Sequence, residues 1–152
     1  MLRVNEIFTS IQGESTHAGR PCTFVRLTAC NLRCSYCDTE YAFTEGSLME
    51  VAEVVERVRE AGVPLVEITG GEPLLQEEVH ELMRALLDSG CEVLLETSGS
   101  LSTEKVDPRV GVILDLKTPG SGEEASNLWD NLDRLHAGDE VKFVITDRAD
   151  YE

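Results

Sequence analysis

The sequence predicts an α/β fold built around a parallel sheet, and two observations support this. Five short apolar runs have the length and composition of strands: residues 23–28, 65–69, 92–96, 111–115 and 141–145. Helical apolar patterns separate most of these runs, and such alternation is typical of parallel strands joined by right-handed crossovers. The chain has 152 residues with no repeat or linker, so residues 1–152 are expected to form a single domain.

Three helices are expected between these strands. The first opens at a capping box formed by Ser47 and Glu50 and ends at Gly62, a residue type that commonly terminates helices. The second covers residues 79–86 and the third covers residues 125–135, and both carry apolar residues at helical spacing. In a sheet of this kind, ligands bind at the loops after the carboxyl ends of the strands, so unusual residues in those loops are functional candidates.

The charge balance excludes several classes of partner. The chain has 29 acidic and 13 basic residues, a net charge of −16, and such a surface repels nucleic acids and anionic membranes. No apolar run approaches the roughly 18 residues that span a bilayer, and the N-terminus lacks the pattern of a signal peptide. We therefore expect a cytoplasmic protein whose five cysteines, an odd number, serve a metal or a catalytic step rather than disulfides.

Three cysteines lie in a tight loop directly after the first predicted strand. Cys30, Cys34 and Cys37 have the spacing C-x3-C-x2-C, and three such thiolates can bind three irons of a cubane cluster. No further cysteine follows closely, so one iron would stay open to a substrate or cofactor. The amino and carboxylate groups of S-adenosylmethionine suit that position, and the loop therefore predicts a [4Fe–4S] cluster with one open iron.

A zinc site is the alternative for the same cysteines. Structural zinc usually has four protein ligands, so a histidine would have to complete the set. The chain has three histidines, and only His17 is near enough in sequence to reach the loop. The remaining cysteines, Cys22 and Cys91, are interpreted as small buried apolar residues.

Polar residues also follow the next three predicted strands. The segment from Thr69 to Pro73 contains two glycines, which allow a backbone to approach a ligand closely, and Glu72, which can accept hydrogen bonds from a cationic amino group. Ser98 follows the third strand, and Asp115 and Lys117 follow the fourth. The alternative interpretation is that Ser98 belongs to a turn and Lys117 is solvated.

The cysteine triplet together with Thr69-Gly70-Gly71-Glu72-Pro73 resembles the radical S-adenosylmethionine superfamily. The segment 8–15, which contains Gln12-Gly13-Glu14, the segments 18–21 and 36–39, and residues 68–75 resemble its 7-carboxy-7-deazaguanine synthase family. The resemblance implies a partial, splayed (β/α)6-type barrel with a parallel sheet. Because the chain stops soon after the fifth predicted strand, the barrel is expected to lack its last strand and the domain to be incomplete at its C-terminus.

The same resemblance implies a set of site residues. Cys30, Cys34 and Cys37 would bind the [4Fe–4S] cluster, and Thr39 would bind Mg²⁺ through its hydroxyl. S-adenosylmethionine would be bound by Gly71, Glu72, Ser98, Asp115 and Lys117. The substrate would be bound by Gln12, Gly13, Glu14, Arg26, Thr69 and Gly71.

Members of that family contract 6-carboxy-5,6,7,8-tetrahydropterin to 7-carboxy-7-deazaguanine with loss of ammonia, through a radical generated from S-adenosylmethionine. The resemblance therefore implies a carbon–nitrogen lyase of 7-deazapurine (queuosine precursor) biosynthesis, a homodimer and a reducing partner such as flavodoxin or ferredoxin. Arg26 lies among apolar residues of the first predicted strand, where a substrate carboxylate or an acidic side chain would have to pair with it. Two alternatives remain. One is a glycyl-radical-enzyme activating enzyme, which shares the cysteine triplet and the segment Gly70-Gly71-Glu72-Pro73. The other is a non-catalytic zinc-binding module.

Overall fold

A computed structural model describes the whole chain, residues 1–152. Its strands are β1 Leu2–Ile11, β2 Pro21–Leu27, β3 Ser47–Met49, β4 Leu65–Gly70, β5 Glu92–Thr97, β6 Gly111–Asp115 and β7 Glu140–Lys142. Its helices are α1 Val51–Ala61, α2 Val79–Asp88 and the short α3 Arg148–Tyr151. The strands form one open sheet in the order β3-β1-β2-β4-β5-β6-β7.

The sheet is mostly parallel, as the sequence predicts. Strands β2, β4, β5, β6 and β7 pair in parallel, each with the next. One edge of the sheet is antiparallel, because β1 pairs antiparallel with both β2 and β3. Sequence reasoning assigned no strand to residues 2–11, although Leu2 and Val4 alternate with polar neighbours and are buried.

The two faces of the sheet differ in character. Apolar side chains of β4 and β5, such as Ile68 and Leu95, join Val54 of α1 and Leu82 of α2 in the main hydrophobic core. Because side chains alternate along a strand, the residues between them point to the other face. There the central strands carry the polar residues Glu67, Thr69, Glu96 and Asp115, which leaves a chemically functional face opposite the helices.

The start of the first helix differs from the prediction. Helix α1 begins at Val51, and Glu50 precedes it without a side-chain capping bond. Ser47 belongs instead to β3, where it pairs with Val4, because the backbone ladder to β1 replaces the expected capping box. Gly62 ends the helix in the left-handed conformation with φ of 69°, which confirms the predicted C-cap.

The third predicted helix is wrong. Residues 125–135 form two short 3-10 turns, and Trp129 and Leu132 are exposed rather than packed. The buried residue is Asn131, whose amide donates to Leu101 O at 2.8 Å and accepts from Thr103 N at 3.1 Å. This polar anchor competes with regular helical hydrogen bonding.

Two further predictions concern the second helix and the fifth strand, and only the first of them is confirmed. Helix α2 matches its predicted range, whereas β7 ends at Lys142 instead of residue 145. Phe143 and Ile145 beyond β7 are exposed. None of the helices has the length and apolar character needed to cross a bilayer.

Candidate active site

One cavity of about 510 Å³ lies on the polar face of the sheet. It gathers residues from the cysteine loop, from β1 and its following loop, and from β2, β4, β5, β6 and β7. The predicted site residues that line it are Gln12, Gly13, Glu14, Arg26, Cys30, Cys34, Cys37, Thr39, Thr69, Gly71, Ser98, Asp115 and Lys117. Glu72 is the one predicted site residue behind the cavity wall, and its side chain is fully buried.

The cysteine loop is fixed by hydrogen bonds to the loop that follows β6. Ser35 donates from its backbone to Ser121 O at 2.9 Å and from its hydroxyl to Gly120 O at 2.6 Å. The backbone N–H of Arg33 donates to Glu123 Oε1 at 2.6 Å. These bonds hold the cysteine loop against the loop that follows β6.

The loop at residues 70–73 packs directly against the cysteine loop. Gly71 N–H donates to Leu27 O at 3.1 Å, and Glu72 N–H donates to Ala29 O at 2.8 Å. A side chain at Gly71 would collide with the carbonyl of Ala29 and would come within 2.8 Å of Cys30 Cβ. Glycine is required here because the two backbones approach closely.

The carboxylate of Glu72 connects this loop to the end of β5. One oxygen accepts from Leu74 N at 3.0 Å and from the Thr97 hydroxyl at 2.8 Å. The other accepts from the backbone and hydroxyl of Ser98, at 2.8 Å and 2.5 Å. Glu72 thus orders the loops around the cavity, and its predicted direct contact with a cofactor amino group stays a prediction.

Asp115 and Lys117 form a buried ion pair on the cavity wall, with Nζ 3.1 Å from Oδ2. The other oxygen of Asp115 is buried without a hydrogen-bond partner, so it is available to a ligand. Burial raises the pKa of Asp115 although the two nearby lysines oppose the shift. The ammonium of Lys117 also lies 5.9 Å from the ring centre of Tyr36, in the cysteine loop.

Four charged residues that line the cavity are absent from the predicted site residues: Asp38 in the cysteine loop, Glu67 on β4, Glu96 on β5 and Lys142 on β7. Lys142 Nζ contacts Glu14 at 2.5 Å, Glu96 at 2.7 Å and Asp115 at 3.8 Å. The sequence feature that could have identified Glu67 is its position as a charged residue inside the apolar run Leu65-Val66-Glu67-Ile68. Such a residue must find a polar environment on one face of the sheet.

The comparisons agree with this geometry. Residues 24–116 match the family model of the radical SAM superfamily. A 7-carboxy-7-deazaguanine synthase of Koribacter versatilis is 53% identical over 99% of this chain and 68% of its own length. A synthase of the same name from Chlorobaculum tepidum is 48% identical over 99% of this chain and 70% of its own.

The chain belongs to the 7-carboxy-7-deazaguanine synthase family of the radical SAM superfamily. The fold agrees as well: the crystal structure of QueE from Escherichia coli superimposes with a TM-score of 0.81, at 24% identity, over 99% of this chain and 74% of that one. The predicted partial barrel is confirmed, since the sheet is open. Membership in the superfamily implies a [4Fe–4S] cluster and S-adenosylmethionine.

The cysteines fit a cluster with one open iron. All three line the cavity, no histidine does, and His17 instead contacts Glu92 and Glu140. No three His, Cys, Asp or Glu side chains are gathered closely enough to bind a single metal ion. A cubane spreads three thiolates over three irons, so its ligands need not converge on one point as zinc ligands must.

The protonation of two cysteines bears on cluster assembly. Burial raises the pKa of the Cys30 and Cys34 thiols. Since the thiolate is the form that binds metal, both thiols would have to lose their protons to hold a cluster. The positive charge of Lys117 lowers the pKa of Cys34 and partly offsets the effect of burial.

The first prediction concerns the cluster. Cys34→Ala is expected to lose most of its iron and its brown absorbance after anaerobic reconstitution, because two thiolates are too few to hold the cubane. Cys91→Ala is the matched control, since Cys91 packs against the main core outside the cavity. Full iron content in Cys34→Ala, or equal loss in Cys91→Ala, would contradict this assignment.

The second prediction concerns Glu72→Gln. Each oxygen of Glu72 accepts from a backbone N–H, so an amide must point its own N–H groups at one of these donors whichever way it turns. We expect a loss of about 1–3 kcal/mol in the free energy of unfolding and weaker binding of S-adenosylmethionine, measured by denaturation and by equilibrium titration. Glu78→Gln, at an exposed position before α2, is the control. Unchanged stability and unchanged affinity in Glu72→Gln would show that the carboxylate does not order these loops.

Proposed function

We propose that this chain converts 6-carboxy-5,6,7,8-tetrahydropterin to 7-carboxy-7-deazaguanine with loss of ammonia, as a lyase of 7-deazapurine biosynthesis. One observation carries the proposal: a single cavity joins the three cysteines to Gln12, Glu14 and Arg26. The names of the relatives from Koribacter and Chlorobaculum support the same activity. A glycyl-radical activating enzyme acts on a protein backbone and has no need for these three side chains.

The cofactor half of the cavity would be formed by the cysteine loop and the carboxyl ends of β4, β5 and β6. Cys30, Cys34 and Cys37 would hold the cluster, which with S-adenosylmethionine supplies the radical that abstracts hydrogen from the substrate. The unpaired oxygen of Asp115 and the hydroxyl of Ser98 offer acceptors to a ribose, and Lys117 offers a positive charge to a carboxylate.

Arg26 is suited to bind the substrate carboxylate. Its Nε donates to Glu6 at 2.8 Å, and its guanidinium lies 5.8 Å from the ring centre of Phe8 and 6.0 Å from that of Tyr41. The two terminal amino groups make no hydrogen bond within the protein and remain free for a bidentate contact with a carboxylate. The acidic side-chain partner considered above is therefore present, but it occupies only one of the three nitrogens.

The segment Gln12-Gly13-Glu14 would bind the polar edge of the pterin. Gln12 is nearly buried, and its Oε1 accepts from the Gly13 N–H at 3.1 Å while its Nε2 donates to Glu67. These bonds fix the backbone of the segment. Glu14, held by Lys142, then presents carboxylate oxygens to substrate N–H groups.

Mg²⁺ would be bound beside the cluster by the Thr39 hydroxyl. This hydroxyl lies 3.9 Å from Cys37 Sγ and lines the cavity. Magnesium prefers hard oxygen ligands and keeps several waters or substrate oxygens, so one protein ligand is compatible with its chemistry. A one-electron donor such as flavodoxin or ferredoxin and a homodimeric assembly complete the proposal.

The third prediction tests this function directly. Reconstituted protein incubated anaerobically with S-adenosylmethionine, reductant, Mg²⁺ and the carboxypterin is expected to form 7-carboxy-7-deazaguanine, detected by mass spectrometry. Arg26→Lys is expected to raise KM about 10- to 100-fold, because lysine cannot make the bidentate contact. Arg57→Lys, on the exposed face of α1, is the control. Absence of product with a fully loaded cluster would overturn the proposal.

A further inference from the structure

Glu67 is a buried carboxyl to which the proposed function gives no role beyond its hydrogen bond from Gln12. It lies in the middle of β4, is 2% exposed, and faces the cavity rather than the helices. A buried carboxylate is costly unless a cation or several hydrogen-bond donors compensate it. The neighbours of Glu67 therefore decide its protonation state.

Four polar groups surround Glu67. The amide of Gln12, from the end of β1, donates to Glu67 Oε2. The carboxyl of Glu96 is its diagonal neighbour on β5, because Glu67 is opposite Leu94 in the parallel ladder and residues two apart share a face, and both carboxyls line the cavity. The thiol of Cys22, from β2, is also adjacent and fully buried, and burial raises its pKa to about 12, so it remains neutral. Lys142, from β7, lines the same cavity, and its positive charge lowers the pKa of Glu67.

Lys142 forms ion pairs with three carboxylates of the cavity but not with Glu67. Its ammonium binds Glu96 Oε1 at 2.7 Å, Glu14 at 2.5 Å and Asp115 at 3.8 Å, and it forms no ion pair with Glu67. The cation is thus placed on Glu96 and not on Glu67. Two neighbouring carboxylates repel each other strongly away from water, so one of them keeps a proton.

We propose that Glu67 and Glu96 share a single proton, carried by Glu67, and that this pair limits the negative charge of the substrate pocket. Glu67 then donates a hydrogen bond to Glu96, and Glu96 keeps its charge and its contact with Lys142. Burial, followed by the charge of Glu96, raises the pKa of Glu67 to about 8. The pair carries one negative charge below that pH and two above it.

The charge of the pair matters for an anionic occupant, a consequence that rests on the proposed function. The carboxypterin brings its own negative charge into the cavity. Loss of the shared proton adds a second negative charge to the pair and opposes substrate binding. Glu67 therefore acts as a positioning residue, through Glu96 and Gln12, and not through contact with the reacting atoms.

Infrared spectroscopy tests the shared proton without turnover or substrate. A protonated carboxyl has a carbonyl band that a carboxylate lacks, and we expect this band in the reconstituted protein at neutral pH and its loss at about pH 8. Glu67→Gln should lack the band, while the control Glu78→Gln should keep it. The proposal is wrong if no such band exists at neutral pH or if Glu67→Gln retains it.

A second variant covers the case in which Glu67→Gln folds poorly. In Glu96→Gln the neighbouring charge is replaced by an amide that can donate to Glu67. The carbonyl band of Glu67 should then disappear at a lower pH than in the unmodified chain. An unchanged or higher midpoint would overturn the pairing of these two residues.

Anaerobic calorimetry with the carboxypterin, without reductant, tests the effect on the pocket. Affinity should fall about tenfold as the pH rises through about 8, and Glu67→Gln should remove most of this fall because its amide stays neutral. A pH-independent affinity, or the same fall in Glu67→Gln, would refute the role in the pocket. Absence of binding at every pH would refute both the proposed function and the effect of Glu67 on substrate binding. The infrared experiment would still decide whether Glu67 and Glu96 share a proton.

Discussion

The buried carboxylate of Glu72 is the interaction on which the geometry of the site depends. Its backbone N–H joins the cysteine loop through Ala29 O, and its side chain accepts from Leu74, Thr97 and Ser98. Hydrogen bonds to a charged acceptor are stronger than neutral ones, and here they act away from water. The sheet places the cysteine loop, the loop at residues 70–73 and the loop after β5 at the same edge. Glu72 then connects these three loops to one another by hydrogen bonds.

The cavity has a different electrostatic character from the protein as a whole. The chain carries a net charge of −16, yet Arg26, Lys117 and Lys142 all line the cavity. Lys117 and Lys142 offset Asp115, Glu14 and Glu96 through the ion pairs on the wall, and Arg26 pairs with Glu6. This balance suits an anionic substrate and a cofactor with a carboxylate, and the proton assigned to Glu67 maintains it at neutral pH.

The sequence predicts the central fold and most of the cavity because both depend on local signals. Apolar runs locate β2, β4, β5 and β6, and the rule for parallel sheets locates the functional loops at their carboxyl ends. Failures occurred where distant partners decide the structure. Ser47 enters a strand because β1 is beside it, and residues 125–135 fold around Asn131 because Thr103 and Leu101 bind its amide. The importance of Glu67 and Lys142 depends on which side chains they meet across the sheet, and spacing along one chain does not reveal that.

The central claim is that three cysteines hold a cluster whose fourth iron is open to S-adenosylmethionine. Electron–nuclear double resonance on the reduced, reconstituted protein tests it most directly, with S-adenosylmethionine labelled by ¹⁵N at the amino group and ¹⁷O at the carboxylate. The account predicts hyperfine couplings from both labels that show direct ligation to iron. A reduced cluster with no coupling to either label, or with a protein ligand on all four irons, would contradict it.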